Sequence, residues 1–209
     1  PDAQLMKAGT GEFITGYNAQ ATALAGPERE DGTRDLFIGA AEVVNTPADQ
    51  GQLAGMVEGT ERNLGVRCEM VVADGGYHSG ENLAWCAEHG QAVVLAEGDK
   101  KQREQPFHKD QFSYEEATDS YRCPRGEQLT FRGVKSRKGG VWHRIYRAGS
   151  VCRTCPFFGT CTRDRKGRTL EIAPHDRLLQ EHRALLETEE GKAVYRRRMG
   201  VVEPVFGIV

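Results

Sequence analysis

The run Val71-Val72-Ala73-Asp74-Gly75-Gly76-Tyr77 constrains the fold more than any other stretch of the chain. Its β-branched residues favour a strand, and two glycines directly after the acid turn the backbone at once. A buried strand that stops this way leaves a carboxylate at the mouth of a sheet. Ser79 is placed to cap a helix over Gly80–His89, with Leu83, Cys86 and Ala87 on its apolar side and Gly90 as its stop. Gln91–Ala96 reads as the next strand. Upstream, Phe13–Leu24, broken by Gly26-Pro27, and Leu36–Val44 read as an antiparallel hairpin with a long connection. Between hairpin and Asp74, the spacing of Asp49 and Gln52 approaches a capping box, so Asp49 is expected to cap a helix carrying Leu53, Met56, Val57 and Leu64. The class this predicts is α/β, a mixed sheet flanked by helices.

Charge is segregated along the chain. The overall formal charge of -2 conceals an acidic stretch over 1–97, a strongly basic one over 98–170 and a nearly neutral one over 171–209. A basic block in an acidic frame suggests a polyanionic partner, with a solvated insert as the plain alternative. The expected organisation is therefore a core begun by 1–97, a basic cysteine-rich insert over 98–170, and C-terminal helices over 171–209 that complete the core. Asp176–Thr188 reads as one such helix, and another is expected from Lys192. The insert is poor in long apolar runs, is expected to bury little core by itself and so to need a staple.

Four of the six cysteines fall in that insert. Cys152 and Cys155 form a C-x2-C knuckle, Cys161 follows, and Cys123 lies upstream beside Pro124. Four thiolates suit a closed tetrahedral Zn2+ site, the alternatives being reduced thiols or a redox pair, with His108 and His143 as substitute ligands. Cys68 and Cys86 sit at apolar-patterned positions and read as inert buried thiols. Lys135, Arg137, Lys138, Arg144 and Arg147 are the best candidates for contacts to a nucleic-acid backbone; Trp142 and Tyr146 could stack on bases or pack near the zinc.

Near the other end of the chain, Glu203 stands alone in a largely apolar run, ahead of Pro204, which disfavours helical geometry at the acid. Asp74 and Glu203 together read as two carboxylates for Mg2+ or Mn2+, hard cations that prefer oxygen ligands.

The blocks Asp2–Lys7, Gly16-Tyr17-Asn18-Ala19-Gln20, Ala73–Ser79 and Val202-Glu203-Pro204-Val205-Phe206-Gly207, in this order, resemble the DDE transposases of bacterial insertion sequences. The resemblance spans nearly the whole chain and extends to the group with a cysteine-rich insert before the final acid. It implies an RNase H-like core, divalent-metal dependence, cleavage and transfer of DNA ends, and a homodimer in the active complex. Asp74 matches the second acid and Glu203 the third. The first belongs on a strand ahead of the hairpin, expected upstream of Pro1, with Asp2 as the one candidate near the start. Tyr195 and Arg198 match a Tyr and an Arg that precede the last acid, Arg198 as a phosphate contact. The chain is expected to be part of a longer protein. It has no apolar run near the ~18 residues of a membrane span, and a cytoplasmic, nucleoid-associated location is expected. Two rival readings are an inactive transposase remnant and a non-enzymatic zinc-dependent DNA-binding module.

Overall fold

The structure is a computed structural model and describes residues 3–7, 11–98, 103–137 and 140–206, excepting the side chains of Lys7, Glu203 and Phe206. Asp2, Lys138, Gly207 and the Glu203 side chain lie outside the described residues. The chain forms two compact units: residues 1–98 with 181–209, and residues 99–180.

The first unit opens with β1 (Gln4–Lys7) antiparallel to β2 (Phe13–Gly16), then β3 (Asn18–Glu28) antiparallel to β4 (Arg34–Val44). The expected hairpin is present, but Phe13–Leu24 is two strands divided at Tyr17, and β1 was not anticipated. β3 also continues through Gly26-Pro27. A proline cannot donate to a ladder, and the register shifts between Ala25 and Glu28 to accommodate it. α1 (Leu53–Leu64) packs on β3 and β4. Gly39 permits this approach: a Cβ there would lie 2.7 Å from Thr60 Cγ2 on α1. Thr22 and Thr60 hydroxyls then bond at 2.6 Å beneath the helix.

β5 (Met70–Ala73), α2 (Gly80–Glu88) and β6 (Ala92–Leu95) form a parallel strand pair with an intervening helix. Ser79 caps α2 as expected, accepting from Asn82 N at 3.1 Å, and Gly90 follows in the left-handed conformation. Leu83, Cys86, Val94 and Leu95 are buried between these elements. Burial pushes the Cys86 thiol up to about 11, in keeping with an inert core residue.

The second unit is an antiparallel sheet of β7 (Ser113–Glu115), β8 (Ser120–Arg122), β9 (Gln128–Ser136), β10 (Trp142–Arg147) and β11 (Thr169–Ile172), in the order β11-β10-β9-β8-β7. It has a core of its own in Phe112, Tyr121, Leu129, Tyr146, Leu170 and Ile172. The expectation that this segment cannot bury much core is corrected: alternation along short strands hides an apolar face that no long apolar run announces.

α3 (Asp176–Glu187) contains the boundary between the units, and α4 (Glu189–Arg197) and α5 (Met199–Phe206) return to the first. α4 begins earlier than Lys192 because Thr188 caps it, accepting from Gly191 N at 3.0 Å. Pro204 lies inside α5, so Glu203 is helical despite its neighbour; the break instead falls at Arg198, between α4 and α5. The mixed α/β class stands. Among the described residues no helix is long and apolar enough to cross a membrane.

His182 on α3 fixes a pH dependence in the first unit. Its Nε2 accepts the buried Leu95 N–H at 3.1 Å. Burial first, then the nearby His78 and Arg183, lower its pKa from the ordinary 6.5 to about 4, while Glu97 opposes them. An unfolded chain therefore takes up a proton before the folded one does. Stability is fully present above about pH 6.5 and declines as pH falls towards about 4. Denaturant melts across that window should show this loss, and His182→Gln should flatten it. An unchanged slope in the variant would remove His182 from the account.

Candidate active site

Asp74 directly follows β5, with an extended backbone conformation. Its Oδ1 accepts from Gly76 N at 3.0 Å, which ties the acid to the single 3-10 turn Gly75–Tyr77. The strand end and the glycine turn thus present the carboxylate as the local sequence predicts. Its Oδ2 receives Arg198 Nη2 at 3.3 Å, a contact across 124 positions of chain. Arg198 occupies the junction of α4 and α5, with a right-handed helical backbone of its own.

These groups line one cavity of about 200 Å³ with Asn18, Gln20, Asp49, Tyr77 and Val202. Asp49 is not the cap of α1: that position belongs to Gln52, which makes no side-chain capping bond. The Asp49 carboxylate turns instead to the hairpin, its Oδ1 accepting from Asn18 Nδ2 at 2.6 Å and Gln20 Nε2 at 2.9 Å. Two amide donors on alternate residues of one strand hold the carboxylate better than an exposed helix end would. Gly76 explains itself here. A Cβ at that position would lie 3.2 Å from Asp49 Cγ and 3.1 Å from Asp74 Oδ1, so the two acids face one point that only glycine leaves open. Tyr77 senses both: burial, then the charges of Asp49 and Asp74, push its hydroxyl up to about 12, against the opposing Arg198.

Sequence reasoning named Asp74 and Arg198, which meet in this cavity, but assigned Asp49 to capping and gave Asn18 and Gln20 no role. The signal was the Asn-x-Gln alternation, which places both amides on one strand face. The backbone of Glu203 follows cavity-lining Val202 in α5; its side chain is outside the description.

In the second unit Cys123, Cys152, Cys155 and Cys161 line a common cavity with Phe107, Phe157 and Phe158. Burial raises the Cys161 pKa; Arg168 opposes it, and Cys152, Cys123 and Cys155 add to the rise. All four are free thiols. Among the described residues no group of three or more His, Cys, Asp or Glu is placed to hold a metal ion. The four cysteines named from the sequence share one cavity, but without the ligand geometry of a formed zinc site.

The basic candidates separate. Arg137 pairs in a two-pronged contact with Glu171, which His143 also approaches at 3.0 Å. Lys135 is exposed and faces His143 in the strand register. Arg144 donates to Tyr146 Oη at 2.7 Å, pairs with Asp119 and lies over the Phe131 ring at 4.5 Å. Arg147 donates to Thr169 Oγ1 at 3.0 Å. Alternation along β10 puts Arg144 and Arg147 on opposite faces, so the described candidates do not form one continuous stripe. Tyr146 is buried at 2% exposure and is not open to base stacking, whereas Trp142 is 60% exposed.

Residues 122–209 match the family described as "Transposase DDE domain". The matched segment contains the four clustered cysteines, Arg198 and Glu203, and stops short of Asp74. No curated protein and no solved structure gave a match. The likeness to the transposase DDE domain family thus covers the C-terminal 88 residues, 122–209.

Proposed function

We propose that the first unit is the RNase H-like catalytic core of a DDE transposase, cleaving DNA and transferring strands with Mg2+ or Mn2+ held by Asp74 and Glu203. The carrying observation is the meeting of Asp74 and Arg198 in one cavity, lined also by Val202, the residue before Glu203. The donor chemistry fits a hard cation: carboxylate oxygen at a strand end, with amide side chains alongside. A divalent cation held there would activate an oxygen nucleophile and offset phosphate charge. Arg198 would be drawn between Asp74 and an incoming phosphate, which it can grip through two N–H groups.

An open groove supports the RNase H-like reading. Among the described residues, β3 pairs only with β4, and β5 only with β6. The space between their remaining edges is lined by Ala23, Leu24 and Ala25 on one side, and Cys68, Met70 and Val72 on the other, with Val201 and Val202 from α5. One extended strand would find backbone partners on both sides, as the strand carrying the first acid does in an RNase H-like core. In this reading residues 98–170 are an insert between core segments 1–97 and 171–209. Zn2+ would be held there by Cys123, Cys152, Cys155 and Cys161, and the shared thiol-lined cavity supports it. DNA-backbone contacts are proposed for Arg198, Lys135, Arg137, Lys138, Arg144 and Arg147; for Arg137 and Arg144 this requires exchanging Glu171 and Asp119 for phosphate.

The test is strand transfer by the full coding sequence, using linear DNA that carries the element's ends. Joined product is expected with Mg2+ and none with a chelator. DNA binding without cleavage under either condition would favour the zinc-dependent binding module or the inactive remnant.

A further inference from the structure

Asp49 is a second carboxylate in the Asp74 cavity that no capping role accounts for. Its Oδ1 is occupied by the two amide donors, and its Cγ lies 3.2 Å from the point above Gly76 that Asp74 Oδ1 approaches at 3.1 Å. The second observation concerns Gln20, which lines the same cavity at only 5% exposure. Its Nε2 is spent on Asn18 Oδ1, at 2.8 Å, and on Asp49 Oδ1. Among the described residues its Oε1 meets no donor, although a buried amide oxygen without a partner is costly to a fold. Turning the amide over would set that oxygen against the Asp49 carboxylate, so the hydrogen bonds fix its direction. Gln20 lines the same cavity as Asp49 and Asp74, so its free carbonyl oxygen adds a hard donor to two carboxylates, and a hexacoordinate cation fills its remaining positions with water.

We propose that Asp49 is a cation ligand of this cavity, acting with Asp74 and the Gln20 Oε1. The inference rests on the reading of Asp74 as a metal-holding acid and adds to it a ligand from the loop before α1. Asn18 is then a positioning residue: it holds the Asp49 carboxylate in place and touches no ion. The arrangement also gives the cavity two carboxylates on described side chains.

Terbium(III) titration of the chain tests this, because terbium seeks hard oxygen ligands and its emission is excited through an adjacent tyrosine. Wild type is expected to give Tyr77-sensitised emission that Mg2+ displaces, and Tyr77→Phe to extinguish it. Asp49→Asn keeps the acceptor for Asn18 and Gln20 and should weaken terbium binding about tenfold or more with little change in melting. Asp74→Asn should do the same. If Asp74→Asn weakens binding and Asp49→Asn leaves it intact, the inference is overturned while the proposed function stands. If neither variant matters, both fall. Should Asp49→Asn fail to fold, Gln20→Glu decides: added charge at that oxygen tightens terbium binding and makes melting cation-dependent if the three side chains share an ion. Unchanged binding in Gln20→Glu would overturn the proposal.

Discussion

Asp74→Asn is expected to reduce strand transfer by a factor on the order of 10²–10³ or more, with the fold intact. The asparagine Oδ1 can still accept from Gly76 N, as Asp74 does at 3.0 Å, so the turn that presents it survives. What disappears is the charge facing the cavity. Arg198 loses its partner, but Asp74 is 48% exposed at the side chain, and an ion pair so open to water contributes little to stability. Activity and melting should therefore separate: near-wild-type unfolding with product lost. Equal yields of joined DNA from both proteins would remove Asp74 from the chemistry. A fall in activity accompanied by a large fall in melting temperature would instead mark a structural acid.

Gly167→Ala is expected to cost the second unit about 3 kcal/mol or more, a large share of a domain's stability. Gly167 has φ +89, a backbone conformation that L side chains rarely adopt. A Cβ there would also meet the backbone of Gly149, including its N at 2.8 Å and its C at 2.9 Å. Neither obstacle is a flexible side-chain tip, so the two segments must part. They close the loop that carries Cys152, Cys155 and Cys161, and adjacent Ala148 N donates to Arg168 O at 3.1 Å. The substitution should therefore lower the denaturant midpoint and release any zinc bound to the purified protein. A variant that melts with wild type would show that the loop closes without this backbone contact.

Much of the first unit was legible because local rules and tertiary packing agree there. Ser79 and Gly90 bound α2, and the β-branched run before Asp74 is a strand. The failures have definite physical causes. Asp49 satisfies a capping pattern, but Asn18 and Gln20 offer it two donors across the fold, and spacing along the chain cannot register such competition. Pro204 suggested a break at Glu203, yet α4 gives way to α5 at Arg198 and Pro204 is carried within α5. The second unit was underestimated because its core is distributed over single positions such as Leu129, Tyr146 and Leu170 on three strands. Only the pairing of those strands gathers them.

The edges of β3 and β5 left unpaired among the described residues have a practical consequence at the bench. Exposed ladder groups recruit whatever extended chain is nearest, including another copy of the same polypeptide. Produced alone at high concentration, this chain should self-associate through that slot, and covalently appending a β-branched strand to its N-terminus should yield a better-behaved monomer.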